Sequence, residues 1–341
     1  MPILHSLLPC RVSWALVLTV MCVASVTAFV KVNTDSWQYG FLILTLTTGG
    51  VTACVVAILT GSAMALCGFL PPRMMAALST GASVGSVLCA LAQIGCLVLS
   101  LSEANTALLY FCLALAMLIV TLVFWKAMEW STFYRFYRNK AGSAAQILDL
   151  SQPSTGGVKH YWSIFKEGWH FNLTALVVTC VSMPIFPGLA YVAVSTTATS
   201  TLAKKLFVHL SCTLAFNAGD MVGRYSEVIL PYNPKRRSLP LWLCAARVVI
   251  IPLLLLCNVA PQNRPHFPVV FHSDAILAIL MIVGGLSNGY LLNAALVNTP
   301  KTTALENQEL SASIAACSVA VGSILGSILS YSGLALIFKN S

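Results

Sequence analysis

The residues best able to do chemistry in this chain lie between Phe216 and Arg224, in the string F-N-A-G-D-M-V-G-R. An amide, a carboxylate and a guanidinium occupy Asn217, Asp220 and Arg224, at i, i+3 and i+7, so a helix presents all three on one face. The string sits inside a long apolar segment, and Asp220 reads as the only carboxylate well inside such a segment. A charge at bilayer depth costs roughly 2.5–3.5 kcal/mol on insertion scales, so it persists where it is paired or used. Two uses are open: contact with a polar solute, or a structural or gating i,i+4 pair. Asp220 as a proton carrier is a third, with nothing beyond the buried acid behind it.

The elements that must hold these residues are apolar helices. The chain is 58% hydrophobic and 9% charged, with a mean hydropathy of +0.84. Soluble domains carry about 25% charged residues, so this composition belongs to a polytopic membrane protein. The net charge of +9 is spread among loops and forms no aromatic-interleaved patch, which argues against nucleic acid as a partner. Twelve cysteines fall mostly in apolar segments, with no C-x-x-C pair and no Cys/His grouping. They read as small packing residues, and neither a disulfide scaffold nor a metal site is expected. H-E-x-x-H and P-loop strings are also absent from the sequence, so neither a zinc enzyme nor an ATP-driven pump is expected, and no cofactor is implied.

Apolar runs of about 20 residues each predict an all-α protein with nine spanning helices, at 11–31, 40–69, 74–101, 106–128, 170–196, 202–229, 239–260, 273–299 and 310–337. They divide as a bundle of four over 1–128, a polar connector over 129–169 centred on Ser154-Thr155-Gly156-Gly157, and a bundle of five over 170–341. The first run resembles a signal peptide in having Arg11 before it and Val26-Thr27-Ala28 near its end, but its apolar core of about 18 residues favours a retained helix. The second run carries Gly49-Gly50, Gly61 and Gly68 with Thr45, Thr47, Thr48 and Thr60, and the third has Gly81 and Gly85 as G-x-x-x-G. Such glycines predict close helix packing and such threonines predict hydrogen bonds between helices.

Pro184, Pro187 and Pro252 predict kinks. Arg247 is read as snorkelling or making a structural hydrogen bond rather than touching substrate. Asn288 divides between gluing helices and lining a cavity. His209 is a packed neutral imidazole in preference to a proton site. Twelve basic residues fall in one set of alternating loops, including Pro234-Lys235-Arg236-Arg237, against five in the other, which include Arg264 and Lys339. The excess of positive charge then puts the N-terminus and the 129–169 loop in the cytosol and the C-terminus outside. The sequon Asn172-Leu173-Thr174 falls at the cytoplasmic end of a helix and is expected to be unmodified.

Several stretches together resemble the equilibrative nucleoside transporter family: F-N-A-G-D-M-V-G-R (216–224), R-V-V-I-I-P-L-L-L-L-C-N (247–258) and S-N-G-Y…P-K (287–301). G-S-A-M-A-L-C-G-F-L-P-P-R (61–73), Gly81/Gly85 and F-P-G (186–188) support the match, and their order extends the resemblance over residues 11 to 338. The resemblance implies a two-bundle fold related to the major facilitators, with eleven family helices arranged six plus five. The segment ending at Pro71-Pro72-Arg73 matches the fourth family helix, so the helix at 11–31 matches the third. The chain is therefore read as N-terminally shortened, lacking the first two.

Carried onto this chain, Asp220 and Arg224 match positions that engage the ribose hydroxyls of a nucleoside, and Asn217 matches a polar cavity residue. Thr60 falls where other members carry a glutamine facing the base, and Asn288 and Thr213 complete the expected substrate-binding set. The implied activity is facilitative transport of nucleosides or nucleobases by alternating access in the plasma membrane, with lipid and a small-molecule substrate as partners and no catalytic residue. The alternatives are an incomplete or non-transporting paralogue and a proton-coupled symporter.

Overall fold

The structure is a computed structural model that describes residues 2–33, 35–68, 70–99, 102–140, 158–233, 238–259, 268–304 and 307–338. Within these residues it is nearly all helical. Four long helices come first: α1 (Pro2–Phe29), α2 (Gln38–Gly68), α3 (Pro72–Val98) and α4 (Glu103–Trp130). Pro71-Pro72 sets the join between α2 and α3, because a proline at the first helical position lacks only an N–H that has no intrahelical partner there. In the connector, the described parts are helical: α5 at 132–140 and α6 (Val158–Glu167). Ser154–Gly157 lies outside the described residues, as do Pro234–Arg237, Arg264 and Lys339.

Helix α7 (Trp169–Met183) continues through a π-helical turn at Pro184–Leu189 and a 3-10 turn at Ala190–Val192. The kink expected at the prolines is centred on Phe186, which takes extended φ/ψ of −138° and 126°. One helical run from Thr201 to Ile229 comprises α8 (Thr201–Phe207), a π segment (Val208–Leu214) and α9 (Ala215–Ile229). It is followed by α10 (Leu239–Arg247), α11 (Ile250–Leu255), α12 (Asp274–Lys301) and α13 (Gln308–Phe338).

Seven of the nine predicted stretches form helices long and apolar enough to cross a membrane: Leu8–Phe29, Gln38–Gly68, Arg73–Val98, Glu103–Trp130, Trp169–Val192, Asp274–Lys301 and Gln308–Ala335. The stretch at 202–229 is helical but dilutes its apolar character with Lys204, Lys205, Asp220, Arg224 and Glu227. The stretch at 239–260 is a shorter apolar unit, Leu239–Leu255, broken between α10 and α11.

The two larger buried clusters lie mainly in the C-terminal half. Phe171, Ala175 and Val178 of α7 pack with Leu291, Ala294 and Ala295 of α12 and Ala312 and Ala315 of α13, joined by Met64 of α2 and Met75 of α3. A second cluster joins Ile185, Phe216, Leu254 and Met281. Helix α1 packs on α2 and α4, while α2 also meets α13 and α3 meets α9.

Close backbone packing occurs in the same half. Gly219 and Gly223 of α9 face Gly285 and Gly289 of α12, each helix contributing a G-x-x-x-G. A Cβ added at any of the four would run into a carbonyl oxygen of the facing helix: Ile282, Leu286, Phe216 and Asp220 in turn. Gly322 and Gly326 of α13 meet the backbone of α7 in the same way. The expectation for α2 and α3 is overturned at most positions. Gly49, Gly50, Gly61, Gly81 and Gly85 have nothing within 4 Å of a built Cβ, whereas Gly68 does press on the backbone of Gln308 and Glu309. Thr45, Thr47 and Thr52 bond back to carbonyls of their own helix and not across to a neighbour.

All twelve cysteines are free. Asn172 is buried at the start of α7.

Two substitutions test the seam. Gly289→Ala overpacks the α9–α12 contact and should lower unfolding stability in detergent by about 1–3 kcal/mol. Gly81→Ala, facing open space, should be neutral or stabilising by up to about 1 kcal/mol. Equal thermal shifts for the two would refute the assignment of the seam.

Candidate substrate site

The glycine seam brings the polar face of α9 against α12, and the candidate residues meet there. Helical spacing places Arg224 one turn beyond Asp220, and its Nε donates to Asp220 Oδ2 at 2.8 Å. The other carboxylate oxygen, Oδ1, accepts from Asn288 Nδ2 of α12 at 2.6 Å. Arg224 also reaches the N-terminal half, where Nη1 donates to the carbonyl and the hydroxyl of Ser79 on α3, both at 2.9 Å. Asp220, Asn288 and Ser79 are all buried. The i,i+4 pair is thus one link in a network that joins three helices.

The network continues through residues that spacing alone did not assign to the site. Asn288 Oδ1 lies 2.6 Å from Ser182 Oγ on α7, which donates to it. Ser182 Oγ in turn accepts from Arg247 Nη2 at 2.8 Å. Arg247 also donates from Nε to Ser287 Oγ at 2.9 Å and from Nη2 to Gly284 O at 3.1 Å. At 4% exposure its guanidinium does not snorkel to a surface. The structural half of the expectation for Arg247 holds: Val178 O, Ser182 Oγ, Gly284 O and Ser287 Oγ, all on α7 and α12, surround its guanidinium. Ser182 and Ser79 carried no signal in the sequence, since a serine in an apolar run bonds to its own helix as readily as to a neighbour.

Glu227 corrects the reading of Asp220 as the lone carboxylate at depth. It is 2% exposed, one turn beyond Arg224, and accepts from Asn293 Nδ2 at 2.9 Å, while the same amide donates to Arg224 O at 3.1 Å. Its signal was legible at i+7 from Asp220, on the same helical face.

The remaining candidates lie outside this network. Asn217 is half-buried on α9, and Thr60 is exposed on α2. Thr213 is buried in the π segment, one turn after His209, and Thr213 Oγ1 and His209 Nδ1 have no hydrogen-bond partner. Phe216, at the head of the motif, stacks on Phe186 of the α7 kink with centroids 4.9 Å apart and planes inclined by 17°. Two cavities, of about 540 Å³ beside Glu103 and Lys205 and about 590 Å³ beside Lys126 and Arg135, are lined by neither Asp220 nor Arg224.

A set of fixed donors and acceptors, buried among helices of membrane-spanning length, defines an integral membrane protein with a polar site at its centre. The sequence profile described as nucleoside transporter matches residues 46–333. The chain is 31% identical over 360 residues to equilibrative nucleoside transporter 1 of Rattus norvegicus, covering 96% of this chain and 78% of that protein. It is 27% identical over 355 residues to the Homo sapiens protein of the same name, covering 96% and 76%. Equilibrative nucleoside transporter 2 of Homo sapiens is 22% identical over 359 residues, covering 94% and 77%. The chain belongs to the nucleoside transporter family.

The Asp220–Arg224 link is open to a double-mutant cycle. Asp220→Asn and Arg224→Gln should each lower unfolding stability in detergent, and the double variant should lose less than the sum, with a coupling of about 0.5–3 kcal/mol. Strict additivity would show that the two side chains do not act as a pair.

Proposed function

We propose that the protein carries nucleosides or nucleobases down their gradient across a membrane, without chemistry on the substrate. The observation that carries this reading is the Asp220–Arg224 pair, tied to Asn288 across the glycine seam in a chain of the nucleoside transporter family. A carboxylate has about four lone-pair positions, and two of those on Asp220 are filled by Arg224 and Asn288, so it retains acceptor capacity for sugar hydroxyls. Arg224 supplies donors in a planar fork. Asn217, Thr213 and Asn288 extend the polar wall, and Thr60 of α2 faces the base. A threonine hydroxyl in that place cannot reproduce the paired donor and acceptor of an amide.

In this reading the chain has nine spans, with Thr201–Ile229 and Leu239–Leu255 crossing as polar and broken helices. Broken or π-distorted helices at depth are tolerated where they line a cavity. The spans form a four-helix bundle over 1–128 and a five-helix bundle over 170–341 in a major-facilitator-like arrangement, joined by the 129–169 loop on the cytosolic side. The C-terminus is outside and the plasma membrane is the site of action. Substrate binds between the bundles, which rock about it.

In this cycle Arg224 has two partners to exchange. Its bonds to Ser79 tie α9 to α3 while the site is closed, and a bound sugar takes over part of its donor fork when the bundles part. The same side chain then serves as clamp and as latch.

Uptake of radiolabelled uridine, adenosine and hypoxanthine in transporter-null cells tests the proposal. The wild-type chain should take up at least one of them. Asp220→Asn should reduce nucleoside uptake by about ten-fold or more, the loss of one hydrogen bond to a charged group. Absence of uptake of all three, with the protein present in the membrane, would sink the transporter reading.

A further inference from the structure

We infer that Arg247, which does not touch the substrate, is a positioning residue that aims the Asp220 carboxylate through Ser182 and Asn288. The inference rests on the reading of Asp220 as a substrate contact. It follows from the direction in which hydrogen bonds can run. A guanidinium only donates, and a carboxylate only accepts. Ser182 Oγ therefore accepts from Arg247 Nη2 at 2.8 Å, and its single proton is free to go elsewhere. The 2.6 Å separation of Ser182 Oγ from Asn288 Oδ1 brings two oxygens together, which requires that proton between them. The competing acceptor, Val178 O at 2.7 Å, belongs to the serine's own helix and shares the proton at most.

With its carbonyl held by Ser182, the Asn288 amide has only one orientation. Its NH2 group faces Asp220 Oδ1, at 2.6 Å. Read from the other end, the acceptor-only carboxylate demands the same orientation, so the relay is consistent throughout. Without Ser182 the amide is held from the Asp220 side alone, and its carbonyl oxygen, left without this donor, is free to tilt away and loosen the aim of the carboxylate.

Four helices take part: α10 gives Arg247, α7 gives Ser182, α12 gives Asn288 and α9 gives Asp220. Arg247 is itself anchored on α12 by Ser287 Oγ, next to Asn288, and by Gly284 O, one turn before it. The relay is buried along its length, where a directed chain of hydrogen bonds is stronger than its members taken singly.

The test compares uridine with 2′,3′-dideoxyuridine, which lacks the ribose hydroxyls that Asp220 would accept from. Uptake is measured in transporter-null cells and normalised to protein at the surface, for wild type, Asp220→Asn, Ser182→Ala, Ser182→Thr and Arg247→Gln. Ser182→Ala should raise KM for uridine about ten-fold and change that for the dideoxy analogue by less than about two-fold. Ser182→Thr, which keeps the hydroxyl, should restore uridine. A purely structural role would change both substrates together. Should Ser182→Ala fail to reach the surface, Arg247→Gln gives the same comparison. If Asp220→Asn discriminates between the substrates and the relay variants do not, the positioning role is overturned and the substrate reading stands. If Asp220→Asn itself fails to discriminate, the substrate reading of Asp220 falls and the relay falls with it.

Discussion

Backbone-to-backbone contact between α9 and α12 is the constraint on which the site depends. Four glycines, alternating between the two helices, remove every Cβ that would hold the rods apart, and each is covered by a carbonyl of the opposite helix. In lipid there is little hydrophobic force between helices, so close approach and the dispersion it brings must supply the association. The seam also sets a length scale. Asparagine is a short side chain, and Asn288 reaches Asp220 at 2.6 Å because the backbones that carry them nearly touch.

That proximity lets charge be tolerated at depth. Asp220 and Arg224 neutralise one another, yet a buried pair seldom repays its desolvation by attraction alone and needs further hydrogen bonds on its unused positions. The structure supplies them from three directions: Ser79 on α3, Asn288 on α12 and, through Asn288, Ser182 on α7. Arg247 and Glu227 lie beyond this pair, one held by serines and carbonyls and the other by Asn293. The charged groups are thus spaced along the protein interior and joined by neutral donors and acceptors, each of which has a definite direction.

How much of this is legible in the sequence depends on range. Asp220 and Arg224 are four residues apart, and helical geometry alone brings them together, so the pair and its face are readable. Asn288 and Ser182 are far from Asp220 along the chain, and an i,i+4 pattern says which face a residue occupies without saying what it meets. The glycines make the same point in reverse. Gly81 and Gly85 carry the small-xxx-small spacing as plainly as Gly219 and Gly223, but only the latter pair is covered by another backbone. Spacing is a local property and contact is not. Glu227 escapes a sequence reading for a different reason: it stands near the end of an apolar run, where a carboxylate ordinarily reaches water, and here Asn293 on α12 holds it inside. The two stretches that fall short of the spanning criterion, at 202–229 and 239–260, are those that contribute Asp220, Arg224 and Arg247. In the first, the polar side chains that build the site lower the hydropathy by which a span is recognised; the second is apolar but short, broken between α10 and α11.

The contrast between the two sides of α9 bears on how such a site could open. Against α12 the contact is glycine on backbone, continuous over two turns, and separating it would expose carbonyls and peptide groups to lipid or leave voids. Against α3 the link described at the site is polar, from Arg224 to the hydroxyl and carbonyl of Ser79, and its donors can be passed to water or to a solute hydroxyl with little net change. A motion that keeps the α9–α12 seam and exchanges the α3–α9 bonds is therefore the one of lower cost. It leaves Asp220 and Asn288 fixed relative to one another. The polar geometry around Asp220 then survives the movement, and only the bonds on the α3 side are exchanged.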